Sequence, residues 1–213
     1  MAKSIKYPKF VIRKPCSDNR DINNNIKVRN LISVKISNNN NKKVLCVMMN
    51  PSKANSEQSD ITVNKILNLL NSVKYNVGII EIVNLYPVYK TKSGELFNTL
   101  QQLRKHGIEV YDKKIKENDQ LIKSKIESTD VIIFAWGKSP KHMPRKTYKA
   151  QGEKILGYVL KNKNKHLYIF KTNRWTNLLT NLGNPRHPSR NTLVGISACE
   201  VDSSTSSICI IKK

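Results

Sequence analysis

The sequence predicts an α/β protein: a three-layer sandwich with a mostly parallel, four-stranded central sheet and helices on both faces. Two observations predict this fold class. Short, continuous apolar runs alternate along the chain with segments whose apolar residues recur at helical spacing. Each apolar run also ends in a polar, turn-forming segment. Continuous apolar strands joined through helices are typical of parallel sheets that are buried on both faces.

Four segments have the composition expected of the central strands, and they are residues 44–49, 76–83, 131–136 and 166–171. A loosely alternating stretch at residues 29–37 predicts a strand that precedes them in the chain. The apolar residues after Thr205 predict a last strand at the edge of the sheet.

Amphipathic helices occupy the intervals between these strands. The clearest apolar stripe has the spacing i, i+3, i+4, i+7 and i+10 and consists of Val63, Ile66, Leu67, Leu70 and Val73. Further helices are predicted at residues 96–106, 112–128 and 148–160, and Gly107 stops the first of these. Residues 172–192 are loop-rich, with a short helical stretch predicted around residues 175–182.

Basic residues outnumber acidic residues by a wide margin. The chain has 38 Lys and Arg against 15 Asp and Glu, which is a formal net charge of +23. Compositional drift in an AT-rich genome would favour Lys over Arg, but it would not make carboxylates scarce. We therefore expect a polyanionic partner, nucleic acid first, with DNA preferred over RNA. A membrane surface fits less well because the sequence contains no long basic amphipathic helix.

Other classes of protein are excluded by what the sequence lacks. The longest apolar runs have six residues, far below the ~20 that span a bilayer, so we expect no transmembrane helix. The N-terminus has no apolar signal core, which predicts a cytoplasmic protein. The four cysteines are scattered without a CxxC pair, so we expect reduced thiols, no metal site and no cofactor. The length of 213 residues predicts a single domain, residues 1–213.

Polar segments follow the predicted strands and are candidates for a binding site. They are the segments Asn50-Pro51-Ser52, Asn84-Leu85-Tyr86-Pro87, Trp136-Gly137-Lys138-Ser139 and, in the late loop, Arg186-His187-Pro188-Ser189. In open sheets of this class, ligands bind in the crevice outside the carboxyl ends of the strands. We therefore expect the four segments to converge on one crevice.

These segments resemble motifs of the uracil-DNA glycosylase superfamily, in particular those of its mismatch-specific and single-strand-selective branches. The run VMMNPS at residues 47–52 resembles a first motif in which an apolar strand ends in Asn-Pro-Gly, and RHPSRN at residues 186–191 resembles the late His-Pro-Ser motif. IFAWG at residues 133–137 resembles a Leu-Trp-Gly segment of the third strand, and Asn84 matches a base-reading asparagine. More narrowly, MMNPSKANSEQSD, VNLYP, AWG and NPRHPS are similar to the bacterial domain-of-unknown-function family 1643.

The resemblance covers roughly residues 44–192, which would form a glycosylase-like core, with residues 1–43 as an N-terminal strand and loop extension. It implies that Asn50 positions a water, that His187 stabilises the departing base, and that Asn84 pairs with the base edge. It also implies phosphate contacts through Ser52 and Ser189, and the arginines nearby would add charge: Arg174, Arg186 and Arg190.

The sequence also departs from the superfamily pattern. The most active branch has Asp where this chain has Asn50, and an amide cannot take a proton from water. Residues 53–60 contain no aromatic ring to stack on an extruded base, and the wedge position after His-Pro-Ser is Arg190-Asn191 instead of an apolar residue. These departures predict a retained groove with inefficient base excision.

Each candidate residue has a plainer structural interpretation. Asn50-Pro51-Ser52 could be a strand-ending turn in which Ser52 caps the next helix. Asn84 could have no role beyond hydrogen bonding to backbone groups at the end of its strand. His187 could be a loop histidine bonded to the backbone. Trp175 could stack on a base or pack on the sheet at the start of a helix. We expect phosphate contacts from the basic residues around the crevice, namely Lys53, Lys138, Lys141 and Arg145.

Three functions are therefore compatible with the sequence. The first is a nucleic-acid-binding protein of glycosylase-like fold without efficient base excision. The second is an active, atypical DNA glycosylase that uses Asn50 and His187. The third is a protein-interaction module whose groove binds an acidic partner, such as a protein that mimics DNA. The sequence leaves the oligomeric state open.

Overall fold

A computed structural model describes residues 5–22, 26–38, 40–189 and 191–211. Within these ranges the chain forms nine strands and four α-helices. The strands are β1 (Val11–Arg13), β2 (Cys16–Ile22), β3 (Ile26–Ile36), β4 (Lys43–Met48), β5 (Ile79–Asn84), β6 (Val131–Phe134), β7 (His166–Thr172), β8 (Leu193–Asp202) and β9 (Ser207–Ile210). The helices are α1 (Ile61–Leu70), α2 (Leu96–His106), α3 (Ile108–Glu127) and α4 (Arg145–Leu160). None of these helices is long and apolar enough to cross a membrane.

The strands form one mixed sheet in the order β1-β3-β5-β4-β6-β7-β8-β9, and β2 also pairs with β3. The four neighbours β5, β4, β6 and β7 run parallel to one another. Antiparallel strands flank them on both sides, β3 against β5 and β8 against β7. The α/β class is therefore confirmed, and the four predicted strands do run parallel to one another. The predicted size and composition of the sheet are wrong, because it has nine strands within the described residues and antiparallel flanks.

The flanking strand β8 escapes prediction for a physical reason. Its sequence, LVGISACEVD, contains small and polar residues, and most of its side chains are only partly buried. A strand outside the helix-covered centre of the sheet needs no continuous apolar run, so it carries no strong hydrophobic signal. On the other side of the sheet, β3 lies between β1 and β5, so residues before position 44 also belong to the sheet.

Most helix predictions agree with the structure to within four residues at their ends, and two further details need correction. Val73 is 93% exposed, because α1 ends at Leu70 and Val73 lies in the short 3₁₀ turn that follows. The helical stretch predicted around residues 175–182 is absent. Instead, Leu179 and Pro185 form a β-bridge that closes a tight loop, which Gly183 permits with a φ of +73°.

A hydrophobic core lies on each face of the sheet, because alternate residues of a strand point to opposite sides. Val44 and Cys46 of β4 pack with the buried stripe of α1 on one face. Leu45 and Val47 pack on the other face with α2, α3 and α4. The helices therefore cover both faces of the parallel strands.

The chain reverses its winding direction between β4 and β6. From β4 the chain passes through α1 on one face to β5, and from β5 it returns through α2 and α3 on the other face to β6. Because β4 lies between β5 and β6, the loops that leave the adjacent carboxyl ends of β4 and β6 part in opposite directions. A crevice opens at such a point, and ligands of open α/β sheets bind there.

Candidate functional site

The loops that follow the four parallel strands converge at the carboxyl edge of the sheet. The loops after β4 and β5 are joined by a hydrogen bond of 2.9 Å from Lys90 N to Pro51 O. The loops after β6 and β7 are joined by a bond of 2.8 Å from Gly137 N to Pro185 O. The loop after β6 also approaches the loop after β5, because the Lys141 side chain lies beside Gly94. The four loops thus meet along one edge of the sheet, although residues 84–87, the second polar segment, are buried there.

Asn50 fastens two of these loops together. Its Nδ2 donates to Pro51 O and to Lys90 O, both at 2.8 Å. The two amide protons are committed to the backbone, so only Oδ1 remains to accept a hydrogen bond from a water. This arrangement limits Asn50 to a weak positioning role in any reaction with water.

Asn84 lies at the end of β5 and is fully buried. With its amide oriented to suit its neighbours, Nδ2 donates to Asn50 O and Oδ1 accepts from Arg29 Nη2, each at 3.3 Å. Asn118 Nδ2 donates to the Asn84 carbonyl at 2.9 Å. Asn84 therefore presents no edge to a base in this structure, and its interactions correspond to the plainer interpretation of the sequence.

Arg29 is a site-forming residue that the sequence analysis missed. It lies on β3 and is only 2% exposed, with its guanidinium 5.7 Å from the ring centre of Tyr89. Its Nη1 donates to Ala54 O at 2.6 Å, which holds the loop after β4 against the sheet. The sequence does contain a signal for a buried arginine, because Arg29 interrupts the otherwise strand-like stretch IKVRNLISV. An argument from total charge treats every arginine as exposed and overlooks this one.

The loop after β4 ends in a helix cap. Asp60 accepts a hydrogen bond from Val63 N at 2.9 Å, and its second oxygen faces Lys53 N and Ala54 N at 3.4 Å. The N-cap of α1 is thus Asp60, which rules out the interpretation in which Ser52 caps the helix. Ser52 is instead half-buried beside a shallow pocket.

This pocket has a volume of about 360 Å³ and is lined by Ser52, Tyr89, Lys90, Thr91, Lys92 and Glu95. Two lysines approach Glu95, with Nζ to carboxylate distances of 3.7 Å for Lys90 and 3.8 Å for Lys92. Tyr89 donates its hydroxyl to Ala54 O at 3.2 Å. A tyrosine that follows β5 therefore lies beside residues 53–60, which contain no aromatic residue of their own.

His187 packs directly on the turn that follows β6. Gly137 has a φ of +76°, and a Cβ at this position would lie 2.9 Å from the Cβ of His187. The Nδ1 atom of His187 accepts a hydrogen bond of 3.2 Å from Ser189 N. Because Nδ1 is the acceptor, a neutral imidazole at this position carries its proton on Nε2.

Trp136 and Tyr148 are buried beside this turn and hold it by hydrogen bonds. Trp136 is 2% exposed, which agrees with its assignment to the core, and its Nε1 donates to Asn184 Oδ1 at 3.3 Å. Tyr148 donates its hydroxyl to Trp136 O at 2.9 Å. Burial raises the pKa of Tyr148 well above its usual value, so the hydroxyl keeps its proton and stays a donor.

Exposed cations surround the four loops. The exposed basic residues of the predicted set are Lys53, Lys138, Lys141, Arg145 and Arg174, while Arg186 is half-buried and Ser189 is exposed. Arg190 lies outside the described residues. Trp175 is 41% exposed, and the guanidinium carbons of Arg186 and Arg174 lie 4.2 and 5.4 Å from its ring centre.

The charge imbalance is concentrated in the part of the chain that builds the second half of this surface. Residues 131–199 contain 13 Lys and Arg but a single carboxylate, Glu153. Such a segment cannot neutralise its own charge, so it attracts anions. Lys65 joins α1 to the loop after β7, because its Nζ donates to Ser189 O at 2.9 Å and to Asn191 O at 3.0 Å.

Among the described residues, no group of three or more His, Cys, Asp or Glu side chains could hold a metal ion. A search of curated proteins and a search of solved structures each gave no match. The sequence model of one protein family, described as "Protein of unknown function (DUF1643)", matches residues 29–189, about three quarters of the chain. The match includes the strands, helices and loops that form the carboxyl-edge surface, and the chain therefore belongs to the DUF1643 family.

Proposed function

We propose that this protein binds nucleic acid, DNA in preference to RNA, at the carboxyl edge of its parallel strands and without efficient base excision. One observation carries the proposal. The loops after β6 and β7, residues 135–144 and 173–192, are joined to each other and contain five Lys and Arg and no Asp or Glu. Cations that release condensed counterions from phosphates supply most of the affinity in non-specific nucleic-acid binding.

The proposal includes a relationship to the uracil-DNA glycosylase superfamily. It is supported by the positions of two motifs. The first motif lies at the end of β4, the His-Pro-Ser motif lies before β8, and both border the carboxyl edge of the sheet. Inefficient excision follows from Asn50 and Asn84. Asn50 is an amide whose two protons are bonded to carbonyls, and Asn84 is buried, so neither of these two residues is placed to activate a water or to read a base.

The test is a titration of a fluorescein-labelled 20-nucleotide DNA by anisotropy at increasing NaCl, with a duplex of the same sequence and the matching RNA in parallel. We expect micromolar or tighter binding at ~50 mM salt that weakens steeply as salt rises. Lys138→Glu and Arg174→Glu should each weaken binding and reduce the slope of log K against log salt by about 1.

Lys163→Glu is the matched control, because Lys163 is exposed but lies in the turn before β7, at the amino edge of the parallel strands. The same change of charge there should leave the slope nearly unchanged. If Lys163→Glu weakens binding as much as Lys138→Glu does, the cations act through the net charge of the protein. That result would contradict the proposal that the carboxyl edge is the binding interface. If no oligonucleotide binds at ~50 mM salt, an acidic protein becomes the better candidate for the partner.

Hydrolysis of an N-glycosidic bond is the second candidate function, and the orientation of His187 favours it. Nδ1 accepts a hydrogen bond from Ser189 N, so a neutral ring carries its proton on Nε2. That N–H is the group that would donate to a base departing as an anion, while a water adds to the sugar carbon. The assay is alkaline cleavage of oligonucleotides that contain uracil, mismatched thymine or a damaged base. Asn50→Asp supplies a carboxylate but removes the two bonds from Nδ2 to Pro51 O and Lys90 O, so it should raise a weak activity only if urea unfolding shows that the variant is as stable as wild type. His187→Ala should lower the activity by about 10²- to 10³-fold. No product from wild type or from Asn50→Asp, with binding retained, would exclude this function.

A further inference from the structure

Trp175 is the exposed one of the two tryptophans. It keeps 41% of its surface exposed, whereas Trp136 keeps 2%. Burying an indole is strongly favourable, so an exposed one in a basic segment suggests a contact surface. The interpretation in which Trp175 begins a helix and packs on the sheet is wrong, because no helix forms between residues 173 and 192 in the described part of the chain.

The loop that carries Trp175 is held by hydrogen bonds along its length. Asn173 N donates to Thr192 O at 3.1 Å and closes the base of the loop. At its far end, Thr180 N donates to Asn184 O at 2.8 Å and Gly183 N donates to Thr180 O at 2.9 Å. An aromatic ring on an ordered loop loses little entropy when it binds a partner.

Two arginines lie over the Trp175 ring, so a base that stacks on a face covered by an arginine must take the place of that guanidinium. Arg186 is the nearer, at 4.2 Å, and its Nε donates to Asn177 O, so its guanidinium is anchored in the same loop. Partial burial lowers the pKa of Arg186 from its usual value. Arg174 lies farther away, at 5.4 Å, and is exposed. An aromatic face flanked by phosphate-binding cations is the combination that binds single-stranded nucleic acid in other proteins.

We propose that Trp175 stacks on an unpaired base, so that the preferred ligand of this surface is a single strand rather than a duplex. The proposal rests on the proposed function and names its substrate class. In a duplex both faces of each base are covered by neighbouring pairs, and the ring has no face to stack on. Every base has such a face in a single strand, so we expect little sequence preference.

The experiment compares three probes of equal length: dT20, a 20-mer in which every base is replaced by an abasic analogue, and a 20-base-pair duplex. The first two carry the same phosphates and differ only in bases. Wild-type protein should bind dT20 about 5- to 150-fold more tightly than the abasic strand, the factor expected for stacking on one base. Trp175→Ala should lose this factor for dT20 and bind the abasic strand as wild type does.

The salt dependence separates stacking from phosphate binding. Trp175→Ala should lower the affinity for dT20 equally at every salt concentration, because stacking releases no counterions, and so the slope should not change. Trp175→Phe should keep most of the affinity because it keeps a ring, and Trp175→Leu should not. Val73→Ala is the control, because Val73 is an exposed apolar residue that follows α1 at the amino edge of β5.

Quenching of tryptophan fluorescence by acrylamide, a neutral quencher that bound phosphates do not repel, gives a second measurement on the unaltered protein. Trp136 is buried, so the accessible emission comes from Trp175. dT20 should protect that emission, and the abasic strand should not. Equal binding of dT20 by wild type and folded Trp175→Ala, or no protection by dT20, overturns the stacking proposal while the salt slope still supports the proposed function. A wild-type protein that binds none of the probes removes both proposals.

Discussion

Gly137 and His187 meet at a contact that only glycine allows. The φ of +76° at Gly137 is one that L-residues adopt with strain, and any Cβ there would collide with the Cβ of His187 at 2.9 Å. The His-Pro-Ser segment therefore lies directly on the turn after β6. A sequence can suggest a turn from Trp-Gly, but it cannot indicate which distant residue packs on it.

Gly137→Ala should destabilise the protein by about 1 to 3 kcal/mol, because backbone strain adds to the clash with His187. Gly157→Ala is the matched control. Gly157 lies inside α4 and a Cβ there would meet nothing within 4 Å, so the change should stabilise by up to about 1 kcal/mol. Urea unfolding measures both. A Gly137→Ala variant as stable as wild type would show that the turn and His187 separate easily.

Arg29 and Asn84 also show what residue types alone fail to indicate. Arg29 is a buried cation whose Nη groups bond to Ala54 O and, in the preferred amide orientation, to Asn84 Oδ1. Both residues hold the loop after β4 in place and face away from solvent. Their sequence positions, inside one strand and at the end of another, fit a functional or a structural role equally well.

At the scale of elements, polar side chains of α3 and α4 hold the end of β5. Asn118 of α3 donates to Asn84 O, and Gln151 of α4 donates to Leu85 O at 3.2 Å. Asp119 joins the two helices, because Oδ1 accepts from Gln151 Nε2 at 2.8 Å and Oδ2 accepts from Lys154 Nζ at 2.9 Å. The strand end that borders the candidate site is thus held from the helix layer.

Asp119→Ala should cost about 1 to 3 kcal/mol of stability, because it leaves the buried amide of Gln151 without its carboxylate partner, while the exposed Lys154 regains water. The control is Glu127→Ala on the same helix. Its ion pair with Lys123 spans 3.9 Å between half-exposed side chains, so its loss should cost less than about 1 kcal/mol. Thermal unfolding of both variants gives the comparison. Equal losses would mean that the Asp119 cluster does not join the helices.

The elements differ in how well local pattern predicts them. The bounds of α2, Leu96–His106, agree with the prediction from its amphipathic pattern and Gly107. The predicted helix at 112–128 begins earlier, at Ile108, because the chain turns at Gly107 and continues directly into α3. Strand β8 is missed because its stability comes from pairing with β7 and β9, which its own sequence does not encode.

At the scale of the whole molecule, the net charge of +23 affects both binding and stability. Like charges repel in the compact state more strongly than in the unfolded chain, where they lie farther apart. Salt screens this repulsion over distances beyond the Debye length, about 8 to 10 Å at moderate salt. The same salt weakens binding to phosphates, so salt should have opposite effects on stability and on affinity.

We therefore expect Tm to rise by a few degrees between 20 and 200 mM NaCl, equivalent to about 1 kcal/mol for a chain of this size. Differential scanning calorimetry at several NaCl concentrations measures Tm. Sucrose at the same osmolality as the lower NaCl concentrations is the uncharged control. A Tm that stays constant or falls as NaCl rises would mean that the basic residues are too far apart to repel one another appreciably.

The sequence by itself determined the α/β class, the four strands that lie parallel at the centre, the main helices and the strongly basic character. These properties depend on local periodicity and composition, which are encoded within 10 to 20 residues of chain. It also identified the strand ends as the place where polar segments meet, because the carboxyl ends of parallel strands share one edge of the sheet.

Only the tertiary structure decided the antiparallel flanks of the sheet, the burial of Asn84 and Arg29, the commitment of the Asn50 amide, and the exposure of Trp175. Each depends on partners far away in the chain, such as Lys90 for Asn50 and Ala54 for Arg29. Whether a polar side chain faces a ligand or a carbonyl is decided by which loop packs over it. That packing is a property of the whole fold, and no local sequence pattern contains it.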